Sequence, residues 1–202
     1  MRITYNIVFF FNTDRIIYLL KIINEIKKYK YETDIYIHTN KNFQINNMIN
    51  YDNKLKIILH DLSNINPKKL TWLAKIYMLE LIDNYDIFIY SEDDILIYNE
   101  SFNYWLNYKD ICFQNNYNLG FLRIEYLDIN NIYLTDISSS FDNPQFKFIN
   151  NIKFLVNNKN TYYACWIYDK STMKKYYESE YFNKQKLNLD NKVYDIRASQ
   201  GI

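Results

Sequence analysis

Apolar and polar positions along this chain change period several times, and each change marks an element. Ile3 to Phe11 is dense in β-branched and aromatic residues and predicts a central strand. From Asp14 the apolar residues recur at helical spacing, as Ile16, Ile17, Leu20, Ile23 and Ile26. A second strand is expected at Asp34 to His38 and a third at Leu55 to Leu59, separated by an Asn-rich loop around Asn40 to Asn53. Pro67 suits a first helical turn and opens a helix through Leu70, Leu73, Ile76, Tyr77 and Leu81. An apolar strand at 86–91 follows, then a helix near Ser101 to Gln114. Beyond it the pattern loosens into strands at Leu119 to Leu127 and Tyr162 to Tyr168, with a short helix near Ser171 to Ser179. No internal repeat is visible, and the Asn/Lys patches near 40–53 and 157–160 read as solvated loops.

Strands alternating with helices predict a mainly parallel α/β sheet, covered on both faces and joined by right-handed crossovers. Ligands of such sheets gather at the carboxyl ends of the strands. Phe11 to Asp14, His38 to Asn40 and Glu92 to Asp94 would therefore share one rim.

Composition narrows the choice. The 202 residues fit a single domain, with at most a small lobe, and further domains of a longer polypeptide are compatible with this length. A net charge of +1, with Lys and Arg spread along the chain, gives no electrostatic case for nucleic acid. No stretch reaches the roughly 18 apolar residues of a membrane span, so the expectation is a soluble, cytoplasmic protein. Cys112 and Cys165 stand far apart in sequence, which points to neither a disulfide framework nor a cysteine metal site. With two glycines, Gly120 and Gly201, the chain has no GxGxxG fingerprint and no P-loop. The surplus of Asn, Ile, Lys and Tyr resembles a bias toward AT-rich codons, which weakens any single Asn or Tyr as a functional signal.

The run from Asp86 to Ile97 carries the chemistry. An apolar strand delivers Glu92, Asp93 and Asp94 to its end, and three unscreened carboxylates repel one another. Such an arrangement invites a hard divalent cation, and with it a diphosphate. The competing reading is that an Asp here caps a turn after the strand.

The segment resembles the DXD-type motif, in its Glu-Asp-Asp form, of nucleotide-sugar-dependent glycosyltransferases with the GT-A fold. The resemblance implies a GT-A-like, Rossmann-like sheet with a C-terminal mixed acceptor-binding region: about 1–98 binds the nucleotide sugar and about 99–202 forms the acceptor side of one catalytic domain. It implies Mn²⁺ or Mg²⁺ on Asp94, donor contacts from Glu92 and Asp93, and a nucleoside diphosphate sugar, most often a UDP-sugar, as donor. Phe11, Asn12, Thr13, His38 and Thr39 would lie near base and ribose. Lys75, on the helix before the acidic strand, would meet the diphosphate, a solvated lysine being its plainer reading. A glycan or other hydroxyl compound would be the acceptor, with Asp195 the first choice of general base and Asp190 and Glu125 behind it. Arg123 and Glu125 share one strand face, as site element or simple salt bridge. Tyr162 to Tyr168 would line an acceptor cleft, or else form an aromatic core strand. Many such enzymes place a late histidine on the metal. Here His38 and His60 both precede the motif, so that ligand is missing and both histidines read as structural.

Two other functions compete. A sugar nucleotidyltransferase has a similar frame but carries a Gly-rich, basic loop after its first strand, whereas Phe11 to Arg15 has no glycine. A non-catalytic carbohydrate- or nucleotide-binding module would keep the fold without turnover.

Overall fold

The computed structural model describes residues 1–126, 128, 131–135, 144–157, 164–179 and 182. Nine strands are formed among them: β1 Arg2–Phe9, β2 Glu32–Thr39, β3 Leu55–Leu59, β4 Ile87–Glu92, β5 Ile124–Tyr126, β6 Ile132–Leu134, β7 Gln145–Ile149, β8 Ile152–Val156 and β9 Cys165–Asp169. The helices are α1 Ile16–Ile26, α2 Leu70–Glu80, α3 Asn99–Gln114 and α4 Lys170–Glu178. The chain divides into two compact units, Met1–Asn99 with Ala164–Ile202, and Glu100–Tyr163. The stretch after residue 99 is thus not one continuous half, because β9 and α4 return to the first unit.

The first unit is built on a five-stranded sheet of order β3-β2-β1-β4-β9. Four strands are parallel, and β9 runs antiparallel along β4, pairing Ser91 with Cys165 and Phe88 with Tyr168. In β1 and β2 every residue after the first is buried, the mark of a parallel sheet covered on both faces. On one face Val8, Tyr36, Phe88, Tyr90, Trp166 and Tyr168 pack with Leu70, Ala74 and Met78 of α2 and Met173, Tyr176 and Tyr177 of α4. Strand alternation turns Ile3, Tyr5, Ile7 and Phe9 to the opposite face, where they are fully buried.

The predicted strand–helix alternation is present, and the differences are instructive. The α1 face that is buried is Leu19, Ile22, Ile23 and Ile26, while Ile17 is 56% exposed. The helix carries two overlapping apolar stripes, and periodicity does not choose between them; packing on the sheet does. Of the strand expected at Leu119 to Leu127, residues 119–123 lie outside any strand and Ile124–Tyr126 forms β5, while Leu127 lies outside the described residues. The one expected at Tyr162 to Tyr168 is β9, a buried core strand of the main sheet, which overturns the acceptor-cleft reading for Cys165 to Tyr168; Tyr162 and Tyr163 lie outside the described residues.

The second unit contains α3, the β5–β6 and β7–β8 hairpins, and a small core of Cys112, Ile149 and Phe154 flanked by Tyr108, Ile111 and Tyr117. Asn116, at φ 63°, ends α3 in a Schellman arrangement, with Tyr117 N–H donating to the Cys112 carbonyl and Asn116 N–H to that of Phe113. The two-residue turn between β7 and β8 is Asn150-Asn151, at φ 47° and 64°, the type I′ geometry that matches strand twist. None of these short hairpin strands has a long alternating run, and the sequence pattern passes over β6, β7 and β8. No helix among the described residues is long and apolar enough to cross a membrane.

Candidate functional site

The order of the central sheet locates a site before any side chain is considered. Connections from β1 run outward through β2 to β3, then return across β1 to reach β4. The direction of winding reverses between β1 and β4, and a crevice opens at the carboxyl ends of strands flanking such a reversal. Val8 pairs with both His38 and Glu92, so the ends of β1, β2 and β4 are level.

At the end of β4 the chain turns back at Asp93 and Asp94, closed by the Ile95 N–H donating to the Glu92 carbonyl at 3.2 Å. At the end of β1, Asn12 caps a 3-10 turn, Thr13–Arg15, by accepting the Asp14 N–H at 2.9 Å. That turn carries Arg15 to the end of β4. Arg15 Nε donates to Asp93 Oδ2 at 2.7 Å and Nη2 to Asp93 Oδ1 at 2.8 Å, a bidentate pair. The same Nη2 lies 3.1 Å from Asp94 Oδ2. The Asp93 side chain is 9% exposed, that of Arg15 39% and that of Asp94 48%. Burial pushes the Asp93 carboxyl above its ordinary value against the pull of Arg15, while the hydrogen bond to Asp93 raises the guanidinium further.

This arrangement corrects the premise of three unscreened acids. Asp93, expected as a donor contact, is sequestered by Arg15, and both Asp residues occupy a turn. Arg15 is the residue of this corner that sequence reasoning missed. The available signal was its type: in a chain with four arginines among 24 basic residues, an arginine just after the first strand stands out. Arg15 thus reaches both acids of the turn, Asp93 through two bonds and Asp94 at Oδ2. Among the described residues no three of His, Cys, Asp and Glu gather closely enough to form a metal cluster.

The rim beside β1 is aromatic and polar. Phe11 packs edge-on to Phe9 and at a tilt to Phe43, with ring centroids 5.9 and 5.4 Å away; its N–H donates to Asn40 Oδ1 at 2.8 Å, and Lys41 Nζ lies 5.0 Å from its ring centre. Asn12 and Thr13 are exposed, and Glu92 is partly exposed at the strand end.

Other expected site residues lie elsewhere. His38 and Thr39 are fully buried rather than open to the rim. His38 belongs to a hydrogen-bonded row across the α2 face. Asn6 Nδ2 donates to Thr4 Oγ1, which leaves Asn6 Oδ1 to accept from His38 Nε2 at 3.0 Å; His38 Nδ1 then accepts from His60 Nε2 at 3.0 Å. The two imidazoles stack, and Tyr77 of α2 meets His38 edge-on at 5.2 Å. Burial, and secondarily His60, hold the His38 imidazole well below its ordinary value.

Lys75, expected at the diphosphate, is also fully buried. The apolar positions of α2 turn it inward, where Nζ donates to Tyr176 Oη at 3.0 Å over the rings of Trp166 and Tyr176. Burial pulls its ammonium well below the ordinary value. Glu125 is exposed on β5, where Arg123 Nη2 lies 3.4 Å from its Oε1, the salt-bridge reading of that pair. Asp190 and Asp195 lie outside the described residues.

No protein-family model matches this sequence, nor does any curated protein. Among solved structures the chain is similar to the crystal structure of S. aureus TarS 1–349, at 12% identity and a TM-score of 0.40, over 56% of this chain and 33% of that one. The aligned part spans about a third of that chain's length.

Proposed function

We propose that this chain is a glycosyltransferase with a GT-A-like frame, moving a sugar from a nucleoside diphosphate sugar, by resemblance a UDP-sugar, to an acceptor hydroxyl. One observation carries the reading: the Glu-Asp-Asp strand end and Arg15 meet at the winding reversal of a parallel sheet, the place where such sheets bind nucleotides. Asp94, the more exposed acid, would hold Mn²⁺ or Mg²⁺, and a cation bound there supplies charge to stabilise a departing diphosphate. Glu92 would contact the donor, and Asp93 would fix the turn through Arg15. Phe11, Asn12 and Thr13 would flank base and ribose. His38, Thr39 and Lys75 would support the rim from within the core. Asp195, then Asp190 and Glu125, are the candidate general bases for the acceptor hydroxyl.

The test is a panel of UDP, GDP and CDP scanned for thermal stabilisation with and without Mn²⁺. A nucleotide at a hundredfold excess over its Kd adds about 2.7 kcal/mol of stability. UDP with Mn²⁺ should give the largest shift, and Asp94→Asn should abolish the Mn²⁺-dependent part. A variant that keeps the whole shift, or a wild-type chain indifferent to every nucleotide, contradicts the proposal.

The Arg15 clamp also favours a second reading, a binding module whose acidic turn is ion-paired for structure and catalyses no transfer. Metal-dependent UDP binding without hydrolysis or transfer of any UDP-sugar, given suitable acceptors, would select it.

A further inference from the structure

The β5–β6 hairpin sorts its side chains by face. Directly paired residues of an antiparallel ribbon lie on one side of it, so Ile124 with Leu134 and Tyr126 with Ile132 form the front, while Glu125 with Tyr133 forms the rear. The charges gather at the rear, where Arg123 Nη2 lies 3.4 Å from Glu125 Oε1 and Arg123 Nε donates to Thr135 Oγ1 at 2.7 Å. The front carries none, yet all four of its residues stand in solvent: Ile124 is 40% exposed, Leu134 50%, Ile132 57% and Tyr126 60%. Among the described residues, the small core around Cys112 and Phe154 includes none of the four. At these exposures they present on the order of 400 Å² of largely apolar surface, the size of the largest and often functional patch on a typical monomer. A two-stranded ribbon by itself is at best marginally stable in water and gains stability when its apolar face is covered.

We propose that the front of this ribbon is a self-association surface, packed in a two-fold dimer against the same face of a second copy of this chain. Charge and area identify the occupant. The front has no ionised group, and the Tyr126 hydroxyl is its one polar side-chain atom, so an anionic lipid surface or a charged peptide finds nothing there to pair with. A neutral apolar surface does fit, and an isologous contact supplies one of equal size. A small stable interface buries about 600 Å² per partner, and homodimer contacts are about 65% apolar, so roughly 400 Å² is the apolar core that such a dimer needs. Glu125 stays open on the rear, and the dimer is independent of the sugar-transfer reading above.

Analytical ultracentrifugation of the full chain at about 1 to 100 μM, a range that reads a micromolar Kd, tests it. Wild type should move from the 24.8 kDa of one chain toward twice that mass as concentration rises. Ile132→Lys, which seats a charge in the contact, should weaken the dimer on the order of 100-fold, because a two-fold interface carries each substitution twice. Tyr126→Ser, which removes apolar surface without adding charge, should weaken it about tenfold, with far-UV circular dichroism reading the fold of each variant. Tyr133→Ser, at a residue 50% exposed on the rear, should leave the dimer unchanged. A wild-type chain monomeric at the top of the range, front variants as dimeric as wild type, or a rear variant that dissociates as they do overturns the proposal. A monomer that floats with phosphatidylcholine vesicles also overturns it and gives the face to lipid.

Discussion

Lowering the pH should expose how completely His38 is committed to its neutral form. Its ring is fully buried, with Nε2–H given to Asn6, Nδ1 receiving the His60 N–H, and Tyr77 against its edge. A second proton on Nδ1 would face the His60 donor rather than an acceptor, and none of these neighbours is a carboxylate to offset the charge. The folded chain therefore holds His38 neutral at a pH where the unfolded chain, with an ordinary imidazole near 6.5, takes up a proton. The sign follows: the contribution to stability is intact above 6.5 and declines as pH falls below it, because only the unfolded state binds the extra proton. Each pH unit below 6.5 removes about 1.4 kcal/mol until the folded-state value is reached, which sets a ceiling of about 2 kcal/mol at pH 5. For a chain of this size that is a fall in Tm of about 4 to 8 °C attributable to one ring. Thermal unfolding of wild type and His38→Gln at pH 7.5 and pH 5.0 isolates the effect, since other groups titrate in both. Wild type should lose more than the variant across that interval, by up to about 2 kcal/mol; an equal loss in the two would refute the assignment.

Two further outcomes complete the set. Tyr85 Oη accepts from Tyr36 Oη at 2.7 Å and donates to buried Asp34 at 2.6 Å, so Tyr85→Phe should cost about 1 to 3 kcal/mol by urea unfolding, and a change under about 0.5 kcal/mol would show the chain of hydroxyls to be dispensable. If Asp195 is the general base, Asp195→Asn should lower turnover on the order of 10² to 10⁴ with UDP affinity nearly unchanged, and undiminished turnover would pass the role to Asp190 or Glu125.

The framework of the first unit was legible because its residues say the same thing at several levels. β-Branched runs at Ile3 and Leu55, Pro67 ahead of a helical period, and the apolar stretch into Glu92 each specify one kind of element. Their alternation leaves few topologies open. What lay beyond reach was direction across space. Nothing in the spacing of Asp93 and Asp94 reveals a guanidinium arriving from a loop 78 residues earlier, and that contact changes a set of repelling charges into a compensated turn. Lys75 shows the same gap from the other side. A helix lysine reads as solvated or ligand-facing, yet α2 buries it because both sheet and α4 close over that face. In β9, aromatic density was compatible with a sugar platform and with a core strand, and pairing with β4 decided for the core.

The tight bends of the second unit show how far a skewed alphabet can reach. Left-handed backbone is ordinarily glycine's territory, since a β-carbon is crowded there, and asparagine is among the few substitutes that tolerate it. At Asn116, Asn150 and Asn151 this chain closes a helix end and a hairpin with asparagine alone. Its reversals are set by residues that accept the conformation at a small energetic penalty, so these corners hold untapped stability: a gain available from the main chain itself, at positions where no packed side chain or bound molecule would have to change.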